Sequence, residues 1–329
     1  MGLPLMSNFF EKSKDLYFNN KEEYKFFEEV INTFDDLHRI KGYYNSDLTN
    51  IEELLSILEM KEELFHDSPK KQFIKYIQAV ITGYTPLLPP QNLLFERNKY
   101  FNKFKEWENI LLFISSLLNL QVSFEDTHQI LEVNQEKSTS YNIITLNYDL
   151  LIESSLKILT GIRNNFNQDL QPNINLLKLH GSVDRNEIIA PTWNKFLSKE
   201  IRDTWKQAST VLTEANHIRF IGYSLPVADS YIKYLIKSSL GKGIEQNLKH
   251  IDVICYDPTG DVKSRYDKFI NSLNYKFINA KFEEYMSCVH VNMKKFVSSK
   301  TYSNGRETEI NAYVFNKLET IHDNFMKDY

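Results

Sequence analysis

The chain has 329 residues, 42% hydrophobic and 25% charged, the balance of a packed globular protein with room for one large domain or two modest ones. Its net charge of -4 and pI near 6.1 give no electrostatic reason to bind a phosphate backbone, so nucleic acid is not indicated as a partner. No stretch approaches the ~18 to 20 continuous apolar residues of a membrane span, and the two cysteines, Cys255 and Cys288, are read as small buried hydrophobes in a reducing cytoplasm rather than as ligands or a bridge.

From Ser7 to about Asn134, charged residues alternate with Leu, Ile and Phe at three- and four-residue spacing, which predicts a nearly all-helical region. Thr49-Asn50-Ile51-Glu52 is a capping-box pattern ahead of Leu54, Leu55, Ile57 and Leu58. The stretch from Pro86 to Pro90 divides the region into two helical groups. A second amphipathic segment runs from about Asn98 to Leu118, with Phe101, Phe104, Trp107 and Leu111 as candidate inward residues.

After about Gln135 the pattern changes to short apolar runs alternating with helical segments near 150–160, 229–240 and 261–273, as expected of βαβ units around a parallel sheet. Each run stops at a polar cluster. Ile143-Ile144-Thr145-Leu146 leads into Asn147-Tyr148-Asp149, and Leu176-Leu177-Lys178-Leu179 into His180-Gly181-Ser182. Ile218-Arg219-Phe220-Ile221 leads into Gly222-Tyr223-Ser224, and Asp252-Val253-Ile254-Cys255 into Tyr256-Asp257-Pro258. In open α/β sheets ligands bind beyond the carboxyl ends of the strands, where loops and helix N-termini converge. The last thirty residues return to a charged helical pattern, with Ser298-Ser299-Lys300 and Ser303-Asn304-Gly305 as a break before it.

Each cluster has two readings. Asp149 suits the N-cap of a helix beginning near Leu150, while Asn147 offers an amide able to position a hydroxyl or water. His180 is either a satisfied structural imidazole or, beside Gly181 and Ser182, a general base near neutral pH. Gly222-Tyr223-Ser224 is either a strand-to-loop turn with Asp229 capping the next helix, or a phosphate cradle of backbone N–H groups and the Ser224 hydroxyl. Asp257 is a turn residue or an acceptor for ribose hydroxyls. The sequence contains no pair of Cys-x-x-Cys motifs, no Gly-x-Ser-x-Gly elbow and no Walker-type lysine loop.

Taken in order, Thr145-Leu146-Asn147-Tyr148-Asp149, Lys178-Leu179-His180-Gly181-Ser182, and Phe220 through Pro226 with Asp229 resemble the bacterial sirtuin-like domain. The stretch Ala190-Pro191-Thr192-Trp193-Asn194-Lys195 looks like a segment that family carries after its histidine. The resemblance covers roughly Thr145 to Tyr285, and more loosely Asn50 to Ser56. It implies a Rossmann-like α/β fold with a large inserted helical layer, and cleavage of the bond between nicotinamide and ribose in NAD. It also implies catalytic roles for Asn147 and His180 with Asp149 in support. Gly222, Tyr223 and Ser224 would lie near the phosphates, Thr145, Gly181 and Ser182 would border the bound dinucleotide, and Asp257 would lie near the adenosine ribose.

Sirtuins that deacylate lysine carry a four-cysteine zinc module, which two cysteines cannot build, so no zinc is expected. The resemblance is therefore to the sirtuin-like NAD hydrolases of anti-phage defence, with NAD as substrate and water as nucleophile. That family opens with a strand and a Gly-Ala-Gly-type loop followed by Gly-Leu-Pro. Here Gly2-Leu3-Pro4 matches only the last element, with Gly2 and Pro4 as the remaining contacts to the dinucleotide, and an expectation follows that about 15 to 25 residues precede it in the functional domain. The expected organisation is a sirtuin-like domain over 1–300, with a helical insertion at about 20–135 and the sheet at about 136–290, then a helical extension over 301–329. A cytoplasmic homo-oligomer, or a complex with a defence-system partner, is what the resemblance implies about assembly.

Overall fold

A computed structural model describes residues 8–39, 51–66, 69–86, 107–118, 120–122, 130–132, 139–164, 174–185, 187–189, 199–227, 229–245, 249–303 and 306–328. The apolar runs form parallel strands. Strand β3 (Asn142–Thr145) pairs with β4 (Asn175–Lys178), placing Ile143 opposite Leu176. Strand β7 (His217–Ile221) pairs with β8 (His250–Ile254), and β8 with β9 (Tyr275–Ile278), with His217 opposite His250 and Ile254 opposite Ile278. Among the described residues these strands make two hydrogen-bonded groups rather than one continuous ladder.

Helices cover both faces, which is why the strands read as continuous apolar runs instead of alternating ones. Ile251, Val253 and Cys255 pack in a core with α7 (Lys199–Glu214), α8 (Ser230–Glu245) and α9 (Asp261–Phe269). Ile254 and Ile278 face the other way, onto α5 (Glu108–Leu117), α6 (Leu151–Asn164), α10 (Phe282–Met293) and α11 (Leu318–Asp328). The period-2 geometry of β8 thus divides its side chains between two cores.

The N-terminal helices α1 (Phe9–Asn19), α2 (Phe27–Arg39), α3 (Ile51–Phe65) and α4 (Lys70–Tyr84) enclose a third core. Phe27, Leu54, Phe73, Tyr76, Ile77 and Val80 lie in it, and so do Tyr148 and Ile188 from the sheet region. A buried phenol needs a partner: the Tyr76 hydroxyl donates to Ser13 Oγ at 2.6 Å, and Ser13 Oγ donates to Phe10 O at 2.8 Å. Gln78 Nε2 donates to Val183 O at 3.1 Å and Arg185 O at 3.0 Å, fastening α4 to the short hairpin of β5 (Gly181–Ser182) and β6 (Glu187–Ile188). The capping-box residues Thr49 and Asn50 and the stretch 87–106 lie outside the described residues.

Three expectations require correction. The region read as helical to Asn134 also holds an antiparallel pair, β1 (Leu120–Val122) with β2 (Ile130–Glu132). The terminal stretch is not helical throughout. Strands β10 (Lys294–Ser303) and β11 (Arg306–Phe315), ten residues each, pair antiparallel, and only α11 follows the expected helical pattern. The β-branched, aromatic and hydroxyl residues of the two strands, among them Val297, Thr301, Ile310, Tyr313 and Val314, favour a pleated strand, and this outweighs the charge pattern that reads as a helix surface. The helix expected near 261–273 stops at Phe269, where Ile270 turns to an extended conformation and buries its side chain in the core.

Lys249, just before β8, is buried and closes the C-terminus of α7. Its Nζ donates to Leu212 O at 3.2 Å, Thr213 O at 2.7 Å and Ala215 O at 2.6 Å. Those carbonyls have no helical partner and carry the negative end of the helix dipole, so an ammonium is favoured there. Hydrogen bonds to a charged donor are worth about 1.5 to 3 kcal/mol, partly offset by desolvation. Lys249→Met, which keeps the apolar stem, is expected to lose about 2 kcal/mol of stability, seen as a lower urea midpoint at unchanged slope.

Candidate active site

The polar clusters that follow the strands come together through cross-loop hydrogen bonds. Leu179 N donates to Thr145 O at 3.1 Å and Val183 N to Tyr148 O at 3.0 Å, joining the loop after β3 to the loop after β4. Lys178 Nζ reinforces the joint by donating to Tyr148 O at 3.3 Å and to Asp149 O, and it pairs with Glu153 at 2.8 Å. Asn147 lies exposed on this loop, its backbone N–H donating to Thr145 Oγ1 at 3.1 Å.

Asp149 takes the capping role: its Oδ1 accepts from Leu151 N at 3.0 Å at the start of α6. The carboxylate therefore stabilises the helix N-terminus, and any influence on a ligand runs through the loop it holds. His180 is 1% exposed and sits 3.7 Å from the Asp229 carboxylate, measured Nε2 to Oδ2, with the Tyr148 ring 6.1 Å away centroid to centroid. Gly181 follows with φ of 83°, a conformation that costs an L-residue but not glycine, and it turns the chain into β5. The Ser182 hydroxyl is buried with no hydrogen-bond partner among the described residues.

Asp229 is itself 1% exposed and gathers several groups. Its Oδ1 accepts from Ile232 N at 3.4 Å at the start of α8, and its Oδ2 accepts from the Tyr223 hydroxyl at 3.2 Å. The turn between them is strained. Gly222 has φ of 70°, and Leu225, a non-glycine at φ of 51°, is held there by a side chain buried to 1%. Such outliers cost of order 1 to 3 kcal/mol and concentrate at functional loops. The phosphate-cradle reading needs one correction: the Gly222 N–H donates to Ile254 O at 2.8 Å, so donors for an anion at this turn come from later groups such as the Ser224 hydroxyl.

Asp257 stands one loop further along. Its Oδ2 accepts from Lys263 N at 2.8 Å, and Asn279 brackets its backbone with bonds of 2.7 Å to both N and O. From the same helix, Arg265 Nε donates to Ser224 O at 3.1 Å and the Tyr266 hydroxyl to Tyr223 O at 2.9 Å, joining the Asp257 loop to the Gly222–Ser224 turn. Thr145, Asn147, Asp149, His180, Gly181, Ser182, Gly222, Tyr223, Ser224 and Asp257 thus occupy one connected rim. Gly2, Pro4 and the Ala190–Lys195 segment lie outside the described residues.

Sequence reasoning read Asp229 only as a cap and motif residue. Its approach to His180 depends on the fold, and the one available signal was its spacing after Gly222-Tyr223-Ser224. Arg265 and Asn279 carried no signal.

A rim of polar loops at the carboxyl ends of parallel strands marks the chain as an α/β protein, and in open sheets of that class ligands bind at this edge. Residues 141–278 match the family model of the SIR2-like domain, a family of generally NAD-dependent enzymes. None of the curated proteins compared matches the chain. No helix among the described residues is long and apolar enough to cross a membrane.

Burial works against ionisation of Asp257, but backbone N–H groups of Lys263, Val262 and Gly260, with the Arg265 charge, outweigh it and hold the carboxyl below the usual range. With the folded pKa below the ordinary ~3.9, its stabilisation is present above that value and is lost as pH falls through the lower folded one. Asp257→Asn is expected to be less stable than the parent at neutral pH. The difference should shrink below about pH 4 when urea midpoints are compared across pH.

Proposed function

We propose that the rim is the site of an NAD glycohydrolase, which splits NAD into nicotinamide and ADP-ribose. The observation that carries the reading is the buried His180–Asp229 pair at 3.7 Å, set at the strand ends within the matched region 141–278. The residues suit a dinucleotide. Ser182 offers a buried hydroxyl with no hydrogen-bond partner among the described residues, and Ser224 follows a glycine turn at which an added Cβ would meet nothing within 4 Å.

In this reading water attacks the ribose C1′ as the glycosidic bond breaks. The bonding pair leaves with the nicotinamide nitrogen, and the water proton passes to His180. The transition state has oxocarbenium character, as in other glycosidic cleavages. Asn147 holds the water or a ribose hydroxyl, Asp149 fixes the loop that carries Asn147, and Asp229 is a positioning residue that orients the imidazole and stabilises it once protonated. In the same reading helices α1–α4 are the inserted layer, a role supported by the packing of Tyr148 and Ile188 into their core. The resemblance to defence hydrolases then makes the protein an effector of anti-phage defence, acting in the cytoplasm as a homo-oligomer or with a defence partner, where loss of NAD halts an infected cell.

The 1% exposure of His180 favours a second reading, because a general base has to reach water. Under it the site binds NAD or ADP-ribose as a sensor or assembly scaffold without turning it over.

Mass spectrometry of NAD incubated with the full chain separates the two. Release of nicotinamide and free ADP-ribose, reduced about 10² to 10⁴-fold in His180→Ala, is the expected result, that being the usual worth of a general base. Unchanged NAD with measurable affinity by calorimetry would establish the sensor instead, and parental turnover in His180→Ala would remove His180 from the mechanism.

A further inference from the structure

We propose that His217, Asp252 and His322 form a divalent transition-metal site, of the zinc class, at the amino end of the sheet. The site lies away from the rim described above. His217 opens β7, Asp252 lies within β8 and His322 is on α11. The run from His217 to Gly222 covers about 16 Å of extended strand, so an ion here takes no part in chemistry at the strand ends.

The donor atoms already converge. Asp252 Oδ2 is 2.5 Å from His217 Nε2 and 2.9 Å from His322 Nε2, and one ligand atom from each of the three residues lies within 4.8 Å of the others. Zinc with bonds of about 2.0 to 2.1 Å in a tetrahedron spaces its ligand atoms about 3.3 to 3.4 Å apart. The two short contacts therefore need to open by under about 1 Å to admit an ion. Two imidazoles and one carboxylate are a donor set that zinc and its neighbours prefer, whereas calcium and magnesium prefer oxygen alone.

Two further features suit a metal. Ligating histidines almost always use their second nitrogen in a hydrogen bond that fixes the ring, and His322 Nδ1 is 3.1 Å from the Tyr285 hydroxyl. The His322 side chain is 0% exposed and that of Asp252 10%, but that of His217 is 29% exposed, so the cluster is open on one side. That side provides an entry path and room for a water as fourth ligand. Arg219 lies close enough to act on His322, and the Glu319 carboxylate beside it offsets its charge. A bound ion would clamp α11 to β7 and β8.

The test uses the full chain, stripped with a chelator and titrated with Co²⁺. A visible absorption band that saturates at one equivalent and is displaced by Zn²⁺ is expected, with a Tm that rises with Zn²⁺ concentration. Asp252→Asn and His217→Ala should each lose the band and weaken binding at least tenfold; His217→Ala alters a partly exposed position and keeps the test decisive if Asp252→Asn does not fold. Absence of both the band and the Zn²⁺-dependent Tm in the parent would overturn the site, and so would parental affinity in His217→Ala.

Discussion

A buried carboxylate costs several kcal/mol unless it is partnered, and the site rests on how Asp229 meets that constraint. One oxygen takes the N-terminus of α8 through Ile232 N, while the other takes the Tyr223 hydroxyl and lies 3.7 Å from His180 Nε2. A helix start and the strained turn after β7 are therefore fixed to a single group, with the imidazole after β4 packed beside it. Tyr223 is in turn held by Tyr266 through its carbonyl, so the constraint extends to α9 and the Asp257 loop. Low dielectric strengthens every bond in such a chain and raises the cost of leaving any one unmade.

Different polar groups gather along the same sheet. Gly222 follows the last residue of β7, and Asp257 lies beyond β8, both among the polar loops of the rim. His217 opens β7 and Asp252 lies at the middle of β8, where both meet His322 of α11. Alternation along β8 separates the two sets further: Val253 and Cys255 face the core of α7, α8 and α9, whereas Ile254 faces that of α10 and α11. Asp252 shares the face of Ile254, which is why it meets His322 rather than any group of the rim.

Elements that announce themselves locally were legible. The four apolar runs each became a parallel strand within a residue or two, because Ile, Leu and Val in an unbroken run suit a strand buried on both faces. The polar clusters follow the strands for the same reason: a strand must end where polar loop residues begin. Asp149 is instructive, since both of its readings start from one fact, a carboxylate ahead of a helix, and the Leu151 N–H shows that the cap is made. Illegible were contacts between distant positions. Asp252 lies 35 residues from His217 and 70 from His322, and periodicity carries no information across such intervals. The hairpin of β10 and β11 is legible in another way: Asn304-Gly305 between two strand-like runs is the strongest short hairpin signal, and it competes with the charge pattern that suggests a helix.

The N-terminal helices are held to the site by more than apolar contact. Tyr148 belongs to the core of α1–α4, yet its carbonyl accepts from Val183 N and its ring lies beside His180. Gln78 reaches from α4 to two carbonyls of the segment that follows β5. A displacement of α4 must therefore either break those two bonds or carry the β5–β6 hairpin with it. That hairpin begins one residue after His180, and Ile189 N donates back to His180 O at 2.9 Å. Close-packed cores transmit such shifts instead of absorbing them, so the position of the helical layer and the orientation of His180 are coupled by covalent continuity and three hydrogen bonds, with no need for a contact between the helices and the imidazole itself.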